Sequence, residues 1–227
     1  MALNNSENEK HDLENRKLEL AQNLANAKAN IPSGVHLIVV TKTFPASDVE
    51  ILHKIGVAEF GENRDQEGKE KAPKVPGKWH FQGQLQSNKL KSICKWADVI
   101  QTVDSLRYVD LIEKATSKPL EVFIQVSLEA HKSNEKRGGA DPGSLKDIAD
   151  SILSTRNLKL QGLMAVAPLD EEPNSAFERL AKIHQEFKEA YPNSPYLSAG
   201  MSGDYLIAIE YGATHVRLGS SILGSRS

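Results

Sequence analysis

The feature that most constrains this chain is a repeated alternation. Short apolar, β-branched runs are each followed by an amphipathic stretch or a short helical tail, eight times over. The first run is His36-Leu37-Ile38-Val39-Val40-Thr41, and Lys42 follows it directly. Runs of this kind suit a parallel sheet buried on both faces. The remaining strands are predicted at 57–60, 78–82, 98–102, 121–127, 158–166, 196–198 and 214–218. Helices are expected at about 45–56, 63–72, 88–96, 104–116, 142–154, 174–190 and 204–211, preceded by an extra N-terminal helix over about 6–29. Eight such units predict an α/β fold, a single (β/α)8 barrel domain spanning residues 1–227. A doubly wound open sheet is the alternative, although no Gly-x-Gly-x-x-Gly follows the first strand.

Composition narrows the function. The charge balance of 28 basic and 30 acidic residues leaves −2, so no global basic field draws in nucleic acid. Cys94 is the single cysteine, which excludes an internal disulfide and a cysteine metal cluster. It is expected to be an inert, half-buried helix residue. No His/Asp/Glu group has metal-ligand spacing along the chain, and no metal is predicted. The first residues lack a basic-then-apolar leader pattern, and no apolar run is long enough to span a bilayer. A soluble, cytoplasmic protein without a membrane partner is expected.

In a barrel, residues just past each strand share the C-terminal mouth, where the chemistry of such folds gathers. Here these are Lys42, Glu62 and Asn63, His80 and Gln82, Lys136, Met164, residues 198–202, and residues 217–220. Two loops stand out, Ser198-Ala199-Gly200-Met201-Ser202-Gly203-Asp204 and Arg217-Leu218-Gly219-Ser220-Ser221. Small residues leave backbone N–H groups open to an anion, and the loops after strands 7 and 8 are where barrels commonly hold phosphate. Ordinary serine-capped turns read equally well from these residues alone. A lysine across the mouth from a phosphate site points to a phosphorylated aldehyde held as an imine.

The ordered motifs carry a resemblance. Lys42-Thr43-Phe44-Pro45, Gly61-Glu62-Asn63-Arg64-Asp65-Gln66-Glu67, Trp79-His80-Phe81-Gln82-Gly83-Gln84-Leu85-Gln86-Ser87-Asn88-Lys89, Gly162-Leu163-Met164, the loop 198–204, and Val216-Arg217-Leu218-Gly219 occur in that order. Together they resemble the pyridoxal phosphate homeostasis protein family over nearly the whole chain. The resemblance implies a barrel like the N-terminal domain of alanine racemase, with pyridoxal 5′-phosphate (PLP) as cofactor on Lys42. It implies a role in PLP homeostasis without an established catalytic reaction. Asp65, Gly139 and Ala199 depart from the residues usual there, away from the implied cofactor contacts.

The resemblance also sets the candidate cofactor-binding residues: Lys42, Asn63, His80, Gly200, Met201, Ser202, Arg217, Gly219 and Ser220. Arg217 alternates with Val216 and Leu218, so it faces away from them, and the resemblance sets its guanidinium against the pyridine nitrogen. Asn63 is equally a helix cap. His80 alternates with Trp79 and Phe81 and is as readily a hydrogen-bonded rim histidine as a cofactor neighbour. Met201 either packs on the ring or fills the rim. Ser87, Asn88 and Lys89 read as helix-start residues, and no role follows for them or for Lys136.

Two functions lead, and a plain phosphosugar-binding barrel is a third option. One is a PLP-binding homeostasis protein that holds the cofactor or passes it to PLP-dependent apo-enzymes, as a monomer or weak dimer without efficient catalysis. The other is a PLP-dependent amino-acid racemase or decarboxylase. Alanine racemase takes its second base, a tyrosine, from another domain of the partner subunit. This sequence stops directly after the last barrel unit, so that base is expected to be missing.

Overall fold

The computed structural model describes residues 2–129 and 138–225, with side chains from residue 11 onward. Lys136 lies outside the described residues. Eight parallel strands close into a barrel in chain order: β1 (His36–Val40), β2 (Glu59–Glu62), β3 (Lys78–Phe81), β4 (Val99–Val103), β5 (Leu120–Gln125), β6 (Leu158–Met164), β7 (Tyr196–Ser198) and β8 (His215–Leu218). β1 pairs with both β2 and β8, Ile38 lying opposite Arg217, so the closed barrel replaces the open-sheet alternative. The helices are α1 (Ala2–Ala29), α2 (Ala46–Lys54), α3 (Asp65–Lys71), α4 (Leu90–Trp96), α5 (Leu106–Ala115), α6 (Leu145–Leu153), α7 (Pro173–Ala190), α8 (Tyr205–Glu210) and α9 (Ser220–Leu223). Among the described residues, no helix is long and apolar enough to cross a membrane.

Strand alternation sorts the side chains into two environments. Phe60, Trp79, Ile100, Val122, Leu163, Leu197 and Val216 belong to the large buried core shared with the surrounding helices. Each such burial is worth roughly 1.5–3 kcal/mol. The opposite parity faces the barrel axis, and much of it is polar. Gln101 on β4 meets Ser198 on β7, and Lys78 on β3 meets Glu121 on β5. Neither pair of strands is adjacent in the sheet. A small apolar cluster of Val99, Phe123 and Met164 shares this interior on the β4, β5 and β6 side. Barrel interiors are ordinarily packed with branched apolar residues; this one carries a hydrogen-bonded axis.

One strand is shifted from its expected place. The 57–60 prediction becomes Glu59–Glu62. Gly56 takes a positive φ of 92° to end α2, and the Val57 N–H donates to Leu52 O, so Val57 is spent in the turn and buried there. The strand that remains carries a glutamate at each end. An apolar-run reading stops short of such residues.

The N-terminal helix is docked by side chains. Arg16 donates to Asp48 on α2 at 2.6 and 3.2 Å and to Leu223 O at 3.0 Å. Asn23 donates to Ile222 O at 3.0 Å. The last carbonyls of α9, which lack partners within so short a helix, are thereby satisfied.

Candidate functional site

At the barrel mouth a cavity of about 520 Å³ is lined by Lys42, Asn63, Met201, Ser202, Arg217, Gly219 and Ser220, together with Gln82 and Phe44. Two of the sequence candidates lie elsewhere. Gly200 is buried behind its loop, with φ 90°, where an added Cβ would stand 2.8 Å from Ala208 and Tyr205. It shapes the turn that delivers Met201 and Ser202. His80 is 1% exposed inside the barrel, bonded to Glu59 and Gln101.

Lys42 follows β1 in a backbone segment clamped on both sides. The buried Lys71 ammonium, on α3, donates to Thr41 O at 2.8 Å, to Glu62 Oε1 at 2.7 Å and to Glu67 Oε2 at 2.9 Å. Thr41 Oγ1 donates to the same Glu62 oxygen at 2.6 Å, and the Thr43 N–H donates to Glu67 Oε2 at 2.6 Å. Thr43 itself has φ 71°, a left-handed conformation that a β-branched residue adopts only when its surroundings impose it. The ion triad therefore holds the residues either side of Lys42. Burial pushes the Glu62 carboxyl up, against the bonds from Lys71 and Thr41. Burial also acts to raise Glu67, but the bonds from Lys71 and Thr43 outweigh it and hold that carboxyl below its usual range.

On the far side of the mouth, Ser202 links the two loops. Its Oγ accepts from the Gly219 and Ser221 N–H groups, each at 3.3 Å, and lies 3.2 Å from Ser221 Oγ. Two backbone donors thus converge beside Ser220 on an oxygen. Met201, half-exposed, is held by its N–H donating to Asp204 at 2.6 Å. Gln82 Nε2 is buried and has no partner among the described residues, an unspent donor on a cavity-lining side chain.

Arg217 forms the cavity floor. It is 4% exposed, with Nη1 donating to Ser198 Oγ at 2.9 Å and Nη2 to Ala165 O at 2.8 Å. Burial lowers its pKa to about 10, offset in part by the field of Asp204, and it stays protonated at neutral pH.

The opposite end of the barrel, at the strands' N-termini, gathers His36, Glu59 and His215, whose ligand-type atoms lie within 4.8 Å of one another. These residues are far apart in the chain, so sequence spacing could not reveal the group. His36 and His215 stack with centroids 4.5 Å apart and planes 8° apart. A metal ion lies in the plane of each imidazole that binds it, and nearly parallel offset planes do not meet at one such point. The arrangement serves hydrogen bonding: Glu59 contacts His36 at 2.9 Å and His80 at 3.0 Å.

Sequence reasoning missed Lys71, Glu67, Glu59 and Gln101, and it named Ser198 only as a mouth-loop residue without its bonds to Gln101 and Arg217. The last three sit at inward strand parity, the one signal that could have marked them. Lys71 reads as an ordinary helix lysine until the fold turns it inward. Ser87 lies away from the cavity and accepts from Arg107 at 3.0 Å.

Residues 17–227 match the family model for the alanine racemase N-terminal domain. A pyridoxal phosphate homeostasis protein of Corynebacterium glutamicum is 39% identical over 209 residues, covering 87% of this chain and 93% of that protein. One from Pasteurella multocida is 35% identical, covering 92% of this chain and 98% of the relative. Among solved structures, PipY of Synechococcus elongatus with PLP bound has a TM-score of 0.81 at 28% identity, covering 90% of this chain and 100% of that one. An alanine racemase of Clostridium difficile shares the fold, with a TM-score of 0.76 at 18% identity, covering 92% of this chain and 57% of that one. With a clamped lysine and paired small-residue loops around one cavity, and with the homeostasis relatives matching nearly end to end, the chain belongs to the pyridoxal phosphate homeostasis proteins, within the alanine racemase N-terminal domain family.

Proposed function

We propose that this chain binds PLP in the mouth cavity and serves its homeostasis, with the Lys42 amine holding the cofactor aldehyde as an imine. The observation that carries the reading is the grouping of Lys42, Ser202, Gly219, Ser220 and Arg217 around one cavity of about 520 Å³. The residues fit the group. The Gly219 and Ser221 N–H groups converge on a hydroxyl oxygen and are free to turn to a phosphate oxygen. Gln82 has a buried donor to spare. Gly200 shapes the loop that would take the phosphate, while Asn63 and Met201 line the cavity that would hold the ring. His80 acts from the barrel interior and not as a ring neighbour.

When bound, PLP supplies an aldehyde that bonds reversibly to amines and a ring that accepts electron density. The protein's own groups favour holding over turnover. Arg217 keeps its proton and can only donate, so it leaves a ring nitrogen unprotonated. Among the described residues lining the cavity, Lys42 is the one group suited to act as a base. Nothing there stands ready to return a proton from the other face. This supports a carrier, exchanging PLP with free amines or with apo-enzymes, over a racemase or decarboxylase.

Borohydride reduction of the PLP-loaded protein tests the site. The cofactor is expected on the peptide carrying Lys42, and Lys42→Ala is expected to lose the imine absorption while keeping weaker binding. A label on Lys89 or Lys136 would relocate the site. Deuterium exchange at Cα of alanine and serine tests the carrier reading. Exchange at about 1 s⁻¹ or faster, within the ordinary enzyme range, would make the protein a catalyst instead.

A further inference from the structure

Arg217 is a buried cation with no ion-pair partner among the described residues. A buried charge of this kind costs several kcal/mol unless other groups compensate it. Its route to compensation runs down the barrel axis. Arg217 Nη1 reaches Ser198 Oγ at 2.9 Å. Ser198 Oγ reaches Gln101 Oε1 at 2.9 Å. Gln101 Nε2 reaches His80 Nδ1 at 3.0 Å. His80 Nε2 reaches Glu59 Oε2 at 3.0 Å. The chain starts on the cavity floor and ends at the N-terminal end of the barrel.

Its direction follows from chemistry at the two ends. A guanidinium can only donate and a carboxylate can only accept. Glu59 is held ionised: burial acts to raise its pKa, but the bonds from His80 and His36 lower it to about 2. Burial lowers His80, which favours the neutral ring. With Glu59 accepting, the His80 proton sits on Nε2 and leaves Nδ1 as an acceptor. Gln101 must then present its NH₂ to His80 and its oxygen to Ser198. The Ser198 hydroxyl proton is committed to Gln101, so its lone pair is free for Arg217. Every donor points the same way, and aligned bonds polarise one another by about 10–30% each.

We propose that Glu59, His80, Gln101 and Ser198 are positioning residues for Arg217, a one-way hydrogen-bond chain that fixes the guanidinium plane and supplies its counter-charge from the N-terminal end of the barrel. The proposal deepens the PLP reading, because Arg217 acts on the cofactor through the ring nitrogen. It gives the polar barrel interior a purpose. None of the four residues needs to touch the cofactor to decide how it is held.

Two measurements test it. The first needs no cofactor: ¹⁵N NMR of the histidines in the free protein at pH 7. His80 is expected to be neutral with its proton on Nε2. A proton on Nδ1, or an imidazolium, would overturn the chain whatever the protein binds. The second compares affinity for PLP and for its 1-deaza analogue, in which CH replaces the ring nitrogen. Gln101→Leu is expected to weaken PLP about tenfold, or 1.4 kcal/mol, while changing the analogue less than about twofold. Glu59→Gln, which preserves shape at a residue remote from the mouth, is expected to show the same selectivity in smaller degree and covers the case where Gln101→Leu does not fold. Equal losses for both ligands would mean a merely structural role and sink the proposal. Failure of the wild type to bind PLP, with His80 in the expected tautomer, would remove the cofactor reading and with it the action on the ring, leaving the chain only as packing.

Discussion

At the scale of single residues, the costliest arrangement lies beneath Lys42. Lys71 bridges Glu62, Glu67 and the Thr41 carbonyl, with its side chain only 4% exposed and that of Glu62 fully buried. Deleting one partner of such a group strands the others in a low-dielectric site, which costs about 3–5 kcal/mol. Lys71→Met is therefore expected to lower unfolding stability by about that much, read by urea denaturation. Adding Glu62→Leu should recover part of the loss, since an apolar pair of similar volume replaces a stranded carboxylate. No recovery in the double variant would mean that Glu62 is not what the loss exposes. The same triad fixes Thr43 in its left-handed conformation, so the position of Lys42 is set from beneath by groups that never enter the cavity.

At the scale of elements, the barrel motif is extended by α1, which reaches α2 and α9 together. Arg16 is drawn into an ion pair with Asp48 whose side chain is 10% exposed, and hydrogen bonding to Asp48 raises the arginine pKa against burial. Helix α9 has four residues and cannot satisfy its own carbonyls. Arg16 and Asn23 do so from outside, and α9 begins immediately after Gly219. Asp48→Asn is expected to cost about 1–2 kcal/mol, allowing for partial solvent screening of Arg16. It should also speed amide exchange at Ile222, Leu223 and Gly224 more than at the β4 and β5 amides. Uniform acceleration across the barrel would mean that α1 supports global stability and not this end of the site. The existence of α1 was legible from its apolar spacing, but its partners were not, because Asp48 and Leu223 are 32 and 207 residues away from Arg16.

At the scale of the whole molecule, the buried histidines make the fold acid-sensitive in two windows. Burial, followed by the field of His36, lowers the pKa of His215 from 6.5 to about 3. The unfolded chain then takes up the proton first, so this stability is complete above about pH 6.5 and is lost as pH falls toward 3. Burial lowers His80 as well, with the same sign. Glu59 is depressed from 4.5 to about 2, so its contribution is present above 4.5 and declines only as pH falls toward 2. Between about pH 6.5 and 4.5 the histidines act without the glutamate. Melting temperature is expected to fall through that range, and His215→Phe, which keeps a ring beside His36 and Phe123, should flatten the fall whatever its effect at pH 7. Parallel pH slopes for wild type and variant would remove His215 as the cause.

Amino-acid order alone was enough to read the order and kind of the elements, because a parallel strand buried on both faces and an amphipathic helix each leave a periodic mark that needs no partner to be read. It also marked Lys42, Ser202, Arg217, Gly219 and Ser220 as residues of one mouth, since barrel topology converts a place after a strand into a place in space. Only the tertiary structure decided what fills the barrel and what holds those residues. Gln101 and Ser198 are 97 residues apart in the chain and 2.9 Å apart across the axis. His80, expected with equal weight at the rim or beside a cofactor, sits between Glu59 and Gln101 in the interior. Glu59, in a strand whose apolar part begins only at Phe60, has inward parity, but its partners His36 and His80 lie on other strands and meet it only once the barrel closes. Strand periodicity says which side chains share a face. The partners found across a closed interior depend on strand number, register and closure, which are properties of the assembled barrel and leave no local mark.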